Sequence, residues 1–118
     1  MKSFLTLFAS IILAGCQLPI TQDALRAQPL DVMVYDGPVP VKQYTATPGS
    51  ATHDQILSLI RQHKKGWQPN FVSHAPSVVI KGDGFVINYQ GYGAIYNGSL
   101  GQLKRKVTAA DYQFLVVN

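Results

Sequence analysis

The stretch Val78-Val79-Ile80-Lys81-Gly82-Asp83-Gly84-Phe85-Val86-Ile87-Asn88-Tyr89 decides the fold class. Asp83-Gly84 is a two-residue turn signal between runs rich in β-branched and aromatic residues. Folding the chain back there sets Gly82 against Phe85, Ile80 against Ile87 and Val78 against Tyr89. Side chains alternate across a strand, so these six positions share one face, and five of them are apolar. The other face pairs Lys81 with Val86 and Val79 with Asn88. A slip of one residue would turn the apolar set to the wrong side, so the register is well specified. Such a hairpin needs an apolar partner to cover its buried face.

Upstream, Thr52 to Lys65 supplies that cover. Thr52-His53-Asp54-Gln55 has the capping-box pattern, and Ile56, Leu57, Leu59 and Ile60 form an apolar stripe. Arg61, His63, Lys64 and Lys65 fill the expected last turn, where positive charge suits the helix dipole. Gly66 is placed as a left-handed terminator, with Trp67 folding back over the stripe. Asp31–Tyr35 reads as a first strand, ended by Asp36-Gly37-Pro38. Pro40 confines the next run to an edge, and Lys42–Thr47 follows as a second strand. Asn97-Gly98 signals a second hairpin that pairs Tyr96 with Ser99 and Ile95 with Leu100. Thr108–Asp111 opens a short helical turn, and Tyr112–Val117 returns to the core as a final strand or packed tail. The expected fold is α+β: one main helix packed on an antiparallel sheet of four to six strands, with two tight hairpins.

The N-terminus carries a separate signal. Met1-Lys2-Ser3 precedes an apolar run from Phe4 to Ala14, in the pattern of an export signal. A membrane-spanning helix needs about twenty apolar residues, so this run is too short for a span. It ends in Leu13-Ala14-Gly15-Cys16, which resembles the lipobox of bacterial lipoproteins at all four positions. The resemblance implies cleavage before Cys16, diacylglycerol on its sulfur and acylation of the new amino terminus. Gln17, where inner-membrane lipoproteins tend to carry Asp, resembles the class sorted to the outer membrane and facing the periplasm.

Domain boundaries follow: residues 1–15 a signal peptide, 16–30 a lipidated flexible tether broken by Pro19 and Pro29, and 31–118 a single small domain. Extended, the tether would reach roughly 40–45 Å. A short helix is admissible within it around Thr21–Ala27.

Composition narrows the chemistry. Cys16 is the only cysteine, so no intrachain disulfide forms. Cleavage removes Lys2 and leaves nine basic against six acidic residues, net +3. That charge favours anionic surfaces. In an exported chain, nucleic acid is the least fitting of them. There is no Glu, and Asp36, Asp54, Asp83 and Asp111 sit at turns or caps, which disfavours a paired-carboxylate hydrolase. His53 and His63 lie about 80° apart around a helix and roughly 15 Å along it, too far to share a metal. Ser73-His74 is the nearest nucleophile–base pair, with the ordinary reading of a polar loop. Gly91-Tyr92-Gly93 lacks the third glycine of a phosphate-binding loop and reads as a turn or bulge.

Two features remain for binding. Tyr92, flanked by glycines, is expected to be exposed. Lys104-Arg105-Lys106 is the densest charge run; it reads as a solvated strand edge guarded by lysines or, with Arg61, Lys64 and Lys65, as a basic patch. The expected function is a non-catalytic, lipid-anchored protein-binding module of the envelope, inhibitor-like or immunity-like, without metal or cofactor. The partner surface is expected at Tyr92, Lys104, Arg105 and Lys106. The rival readings are an assembly subunit of an envelope machine and a small periplasmic enzyme.

Overall fold

The structure, a computed structural model, describes residues 17–69, 77–99 and 101–117. In chain order it comprises helix α1 (Gln22–Arg26), strands β1 (Leu30–Asp36) and β2 (Val39–Ala46), helix α2 (Ala51–Gln62), strand β3 (Gln68–Pro69), strands β4 (Val78–Gly82), β5 (Phe85–Gln90), β6 (Gly93–Gly98) and β7 (Gly101–Lys106), and helix α3 (Ala109–Val117). The strands form one sheet in the order β2-β1-β4-β5-β6-β7-β3, every pair antiparallel. The fold is thus α+β on an antiparallel sheet. It has seven strands rather than four to six, the extra one being the two-residue β3 on the edge of β7.

The hairpin β4–β5 has the register its sequence specifies, with Gly82 opposite Phe85, Ile80 opposite Ile87 and Val78 opposite Tyr89. The positive φ of its turn falls on Gly84. Adjacent strands extend this register into a row across the sheet: Val32, Ile80, Ile87, Tyr96 and Leu103 align and are all buried. Ile56, Leu57, Leu59 and Ile60 of α2, Leu25 of α1, and Tyr112 and Leu115 of α3 join them in one apolar cluster.

Helix α2 starts and stops earlier than expected. Its cap is Ser50, whose hydroxyl accepts the His53 amide proton at 3.2 Å, so the box at Thr52 does not form the cap. Starting there turns the first-turn His53 inward, where its Nε2 lies 2.7 Å from the Gln28 carbonyl. At the other end His63 leaves helical geometry, because Trp67 folds back and its indole N–H donates to the His63 carbonyl at 2.6 Å. Lys64 and Lys65 therefore lie in a loop, and Gly66 supplies the positive φ that turns the chain towards β3.

The second hairpin is shifted. Gly98 pairs with Gly101, so the chain reverses after Gly98 and not at Asn97-Gly98. The shift sets Tyr96 opposite Leu103 on the buried face. Gly98 then serves packing: a Cβ there would collide with the Tyr96 ring. Tyr96 stacks on Phe85 with ring centroids 6.5 Å apart, which ties β5 to β6.

Two further expectations are corrected. The C-terminal segment is a nine-residue helix, so α2 is not the single helix of consequence. The Thr108 amide donates to Asp111 at its start, and Tyr112 and Leu115, three apart, share the buried side. Lys42 and Tyr44 of β2 donate to the Val116 and Leu115 carbonyls, which covers the helix's far end. The second correction is that residues 17–30 are no free tether. Leu18, Leu25 and Leu30 are buried, α1 is capped by Thr21, and the Gln22 side chain donates to the Leu57 carbonyl. Leucines spaced along the segment meet core that α2 alone leaves uncovered. Among the described residues no helix is long and apolar enough to cross a membrane.

Candidate functional site

The loop after α2 organises one end of the molecule. Its carbonyls point out of the last helical turn and need donors. Each is met by a different part of the chain: Trp67 on His63, the Leu18 amide on Lys64 at 3.0 Å, and the Arg105 Nε–H on Lys65 at 2.7 Å. The N-terminal segment, the helix and β7 are thereby joined at one point.

Strand alternation sorts the basic run. Arg105 aligns with Ala94 and Tyr89 on the helix-covered face, where it reaches the Lys65 carbonyl. Lys104 and Lys106 point to the other face and are exposed. The Arg105 guanidinium also donates to the Lys106 carbonyl at 2.5 Å. Two carbonyls hold it in place without cancelling its charge. Among the described residues, Arg105, Lys64, Lys65, Lys104 and Lys106 make no ion pair.

Tyr92 lies in the two-residue turn between Gln90 and Gly93. Its carbonyl accepts the Val107 amide proton and the Gly91 carbonyl accepts the Tyr112 hydroxyl, which fixes the turn while the Tyr92 ring stays 78 % exposed. A cleft of about 590 Å³ runs beneath it, lined by Gly66, Gln68, Gln90, Gly93, Ala94 and Ile95 together with Tyr92, Lys104, Arg105 and Lys106. The four residues singled out in the sequence thus share one cleft. Cys16 and Ser73-His74 lie outside the described residues.

A second cavity of about 520 Å³ shares Tyr92, Arg105 and Lys106 with the first and adds His63, Val107, Thr108 and Asp111. His63 Nε2 lies 3.3 Å from Asp111 Oδ2, while Nδ1 is buried and has no partner among the described residues. Burial, with the Arg105 charge beside it, lowers the His63 pKa and outweighs the opposing pull of Asp111. The hydrogen bond from the Thr108 amide holds the Asp111 carboxyl below the usual carboxylate range, against a smaller push from burial. The imidazole and the carboxylate form a contact that joins the loop after α2 to the start of α3. In the sequence His63 belongs to a helix turn and Asp111 to a cap; their meeting requires the tertiary fold. His53 sits at the opposite end of α2, bonded to the Gln28 carbonyl. Among the described residues no three His, Cys, Asp or Glu side chains gather as a metal site would need.

The site therefore offers a preorganised guanidinium, flanking ammonium groups, an exposed phenol ring and an apolar floor. Comparison with known protein families, with characterised proteins and with solved structures finds no match to this chain.

Proposed function

We propose that this chain is a lipid-anchored, non-catalytic binding module of the cell envelope, held by lipid on Cys16 and sorted to the periplasmic side of the outer membrane. Its binding surface is the cleft at Tyr92. One observation carries this reading: Tyr92, Lys104, Arg105 and Lys106 converge on a single cleft whose described lining holds no carboxylate. Cations that make no direct ion pair among the described residues, around an apolar floor, favour an occupant that is negatively charged. A protein partner of the kind an inhibitor-like or immunity-like module holds would have to present an acidic surface here.

Photo-crosslinking tests the reading. With p-benzoylphenylalanine in place of Tyr92, irradiation of intact cells is expected to give an adduct, to lipid or to protein according to which anionic surface fills the cleft. The same group in place of Ser99, on the β6–β7 turn at the far end of the strands, is expected to give none. No adduct from Tyr92, or equal adducts from both positions, would contradict the cleft as the binding surface.

A further inference from the structure

We propose that the cleft end of the domain docks on the anionic lipid headgroups of the membrane that holds Cys16. This rests on the reading of the chain as a lipid-anchored binding module, and it names what the cleft meets.

The anchor and the basic end coincide. Only Gln17 separates Cys16 from Leu18. The Leu18 amide is bonded to the Lys64 carbonyl, and the Lys65 carbonyl is bonded to Arg105. Two residues of chain reach at most about 7 Å. Lipid on Cys16 therefore leaves no spacer, and the Lys64-Lys65 loop is held against the headgroups. At physiological ionic strength charges interact over about 8 Å, so this spacing keeps the lysines within range of lipid phosphates.

Charge differs between the two ends, although the far end also carries Lys81, in register with Asp31. Lys64, Lys65, Arg105 and Lys106 gather at the C-terminal end of α2. Asp54 lies in its first turn, and Asp83 is tied to Gln28, which also meets His53. Twelve helical residues put these two ends about 18 Å apart. The acid nearest the basic end, Asp111, is engaged by His63 and the Thr108 amide. Asp36 lies at the same end of the strands, but four strand spacings from β7, about 19 Å away. Tyr92 adds an amphipathic ring suited to the boundary between water and lipid. Arg105, fixed by two carbonyls and in no direct ion pair among the described residues, with Asp111 its nearest acidic neighbour in the adjoining cavity, presents its guanidinium to a phosphate.

Cysteine labelling on vesicles tests this. The full lipidated chain is reconstituted in phosphatidylcholine alone or in an equal mixture with phosphatidylglycerol. Lipid blocks the Cys16 sulfur, so a water-soluble maleimide reads only an introduced thiol. Tyr92→Cys is expected to label about ten-fold more slowly on the anionic vesicles, and Ser99→Cys equally fast on both. Each lysine near an anionic surface contributes about five-fold to adsorption, so the triple exchange Lys64→Gln, Lys65→Gln and Lys106→Gln is expected to restore fast labelling. All three side chains are exposed, so the fold is expected to tolerate the exchange. Equal labelling of Tyr92→Cys on both compositions would overturn the proposal. So would protection that needs envelope extract and ignores lipid charge, which would assign the cleft to a protein. Failure of the anchor shows separately, as an unacylated Cys16 by mass spectrometry. Cosedimentation of that chain with the same vesicles then decides: binding to the anionic set alone supports headgroup docking, and any other result overturns it.

Discussion

Replacing Trp67 with alanine is expected to destabilise the domain by about 3–5 kcal/mol, the range for a fully buried aromatic side chain. Trp67 is 1 % exposed, sits in the main apolar cluster and donates to the His63 carbonyl. Alanine removes the packed ring and leaves that carbonyl without its donor. Net stabilities of small domains are about 5–15 kcal/mol, so the variant is expected to be close to unfolded. Trp67→Phe keeps most of the apolar volume and is expected to cost distinctly less. Urea unfolding followed by circular dichroism is the suitable measurement, because Trp67 is the only tryptophan and its fluorescence is lost in both variants. A cost below 1 kcal/mol for Trp67→Ala would mean that the loop after α2 is not built on this residue.

Leu25→Ala is expected to cost about 2–5 kcal/mol. Leu25 is fully buried, although it belongs to a segment whose prolines and mixed polarity read as a tether. The two descriptions differ sharply in outcome. Truncating a leucine in a solvated tether changes stability by less than about 0.5 kcal/mol. A loss of several kcal/mol would show that the segment carrying Leu25 belongs to the folded domain. A negligible loss would restore the spacer and remove the geometric basis for headgroup docking.

What the sequence showed and what it hid have physical causes. The β4–β5 register was legible because one face of Val78–Tyr89 is apolar and the turn chemistry sits where the pattern folds back. The β6–β7 register was not. Asn97-Gly98 looks like a turn, but Gly98 is present to admit the Tyr96 ring, and only burial of Tyr96 against Leu103 reveals the shift. The two ends of α2 were displaced for similar reasons. Ser50 and Thr52 are equally good caps locally, and the inward turn of His53 selects between them. Strand β3 is too short to carry any period. The apolar residues of α3 read equally well as a strand until the three-residue spacing of Tyr112 and Leu115 meets the core.

At the site, Tyr92 was legible from its flanking glycines and the basic run from its charge density. The choice between solvated edge and patch was not, since it turns on which residue of the run faces the helices. Strand register sends Arg105 there, to the Lys65 carbonyl, with Lys104 and Lys106 to the other side. The His63–Asp111 contact joins residues far apart in sequence and had no local signal. The contact of Leu18 with this end has no local signal either, since the prolines and mixed polarity of residues 16–30 read as a tether.

The anchor is tested most directly by the mass of the N-terminal peptide of the chain extracted from membranes. The expected peptide begins at Cys16, with diacylglycerol on the sulfur and a further acyl chain on the amine. A peptide that begins at Met1, or a Cys16 with a free thiol, would contradict the anchor.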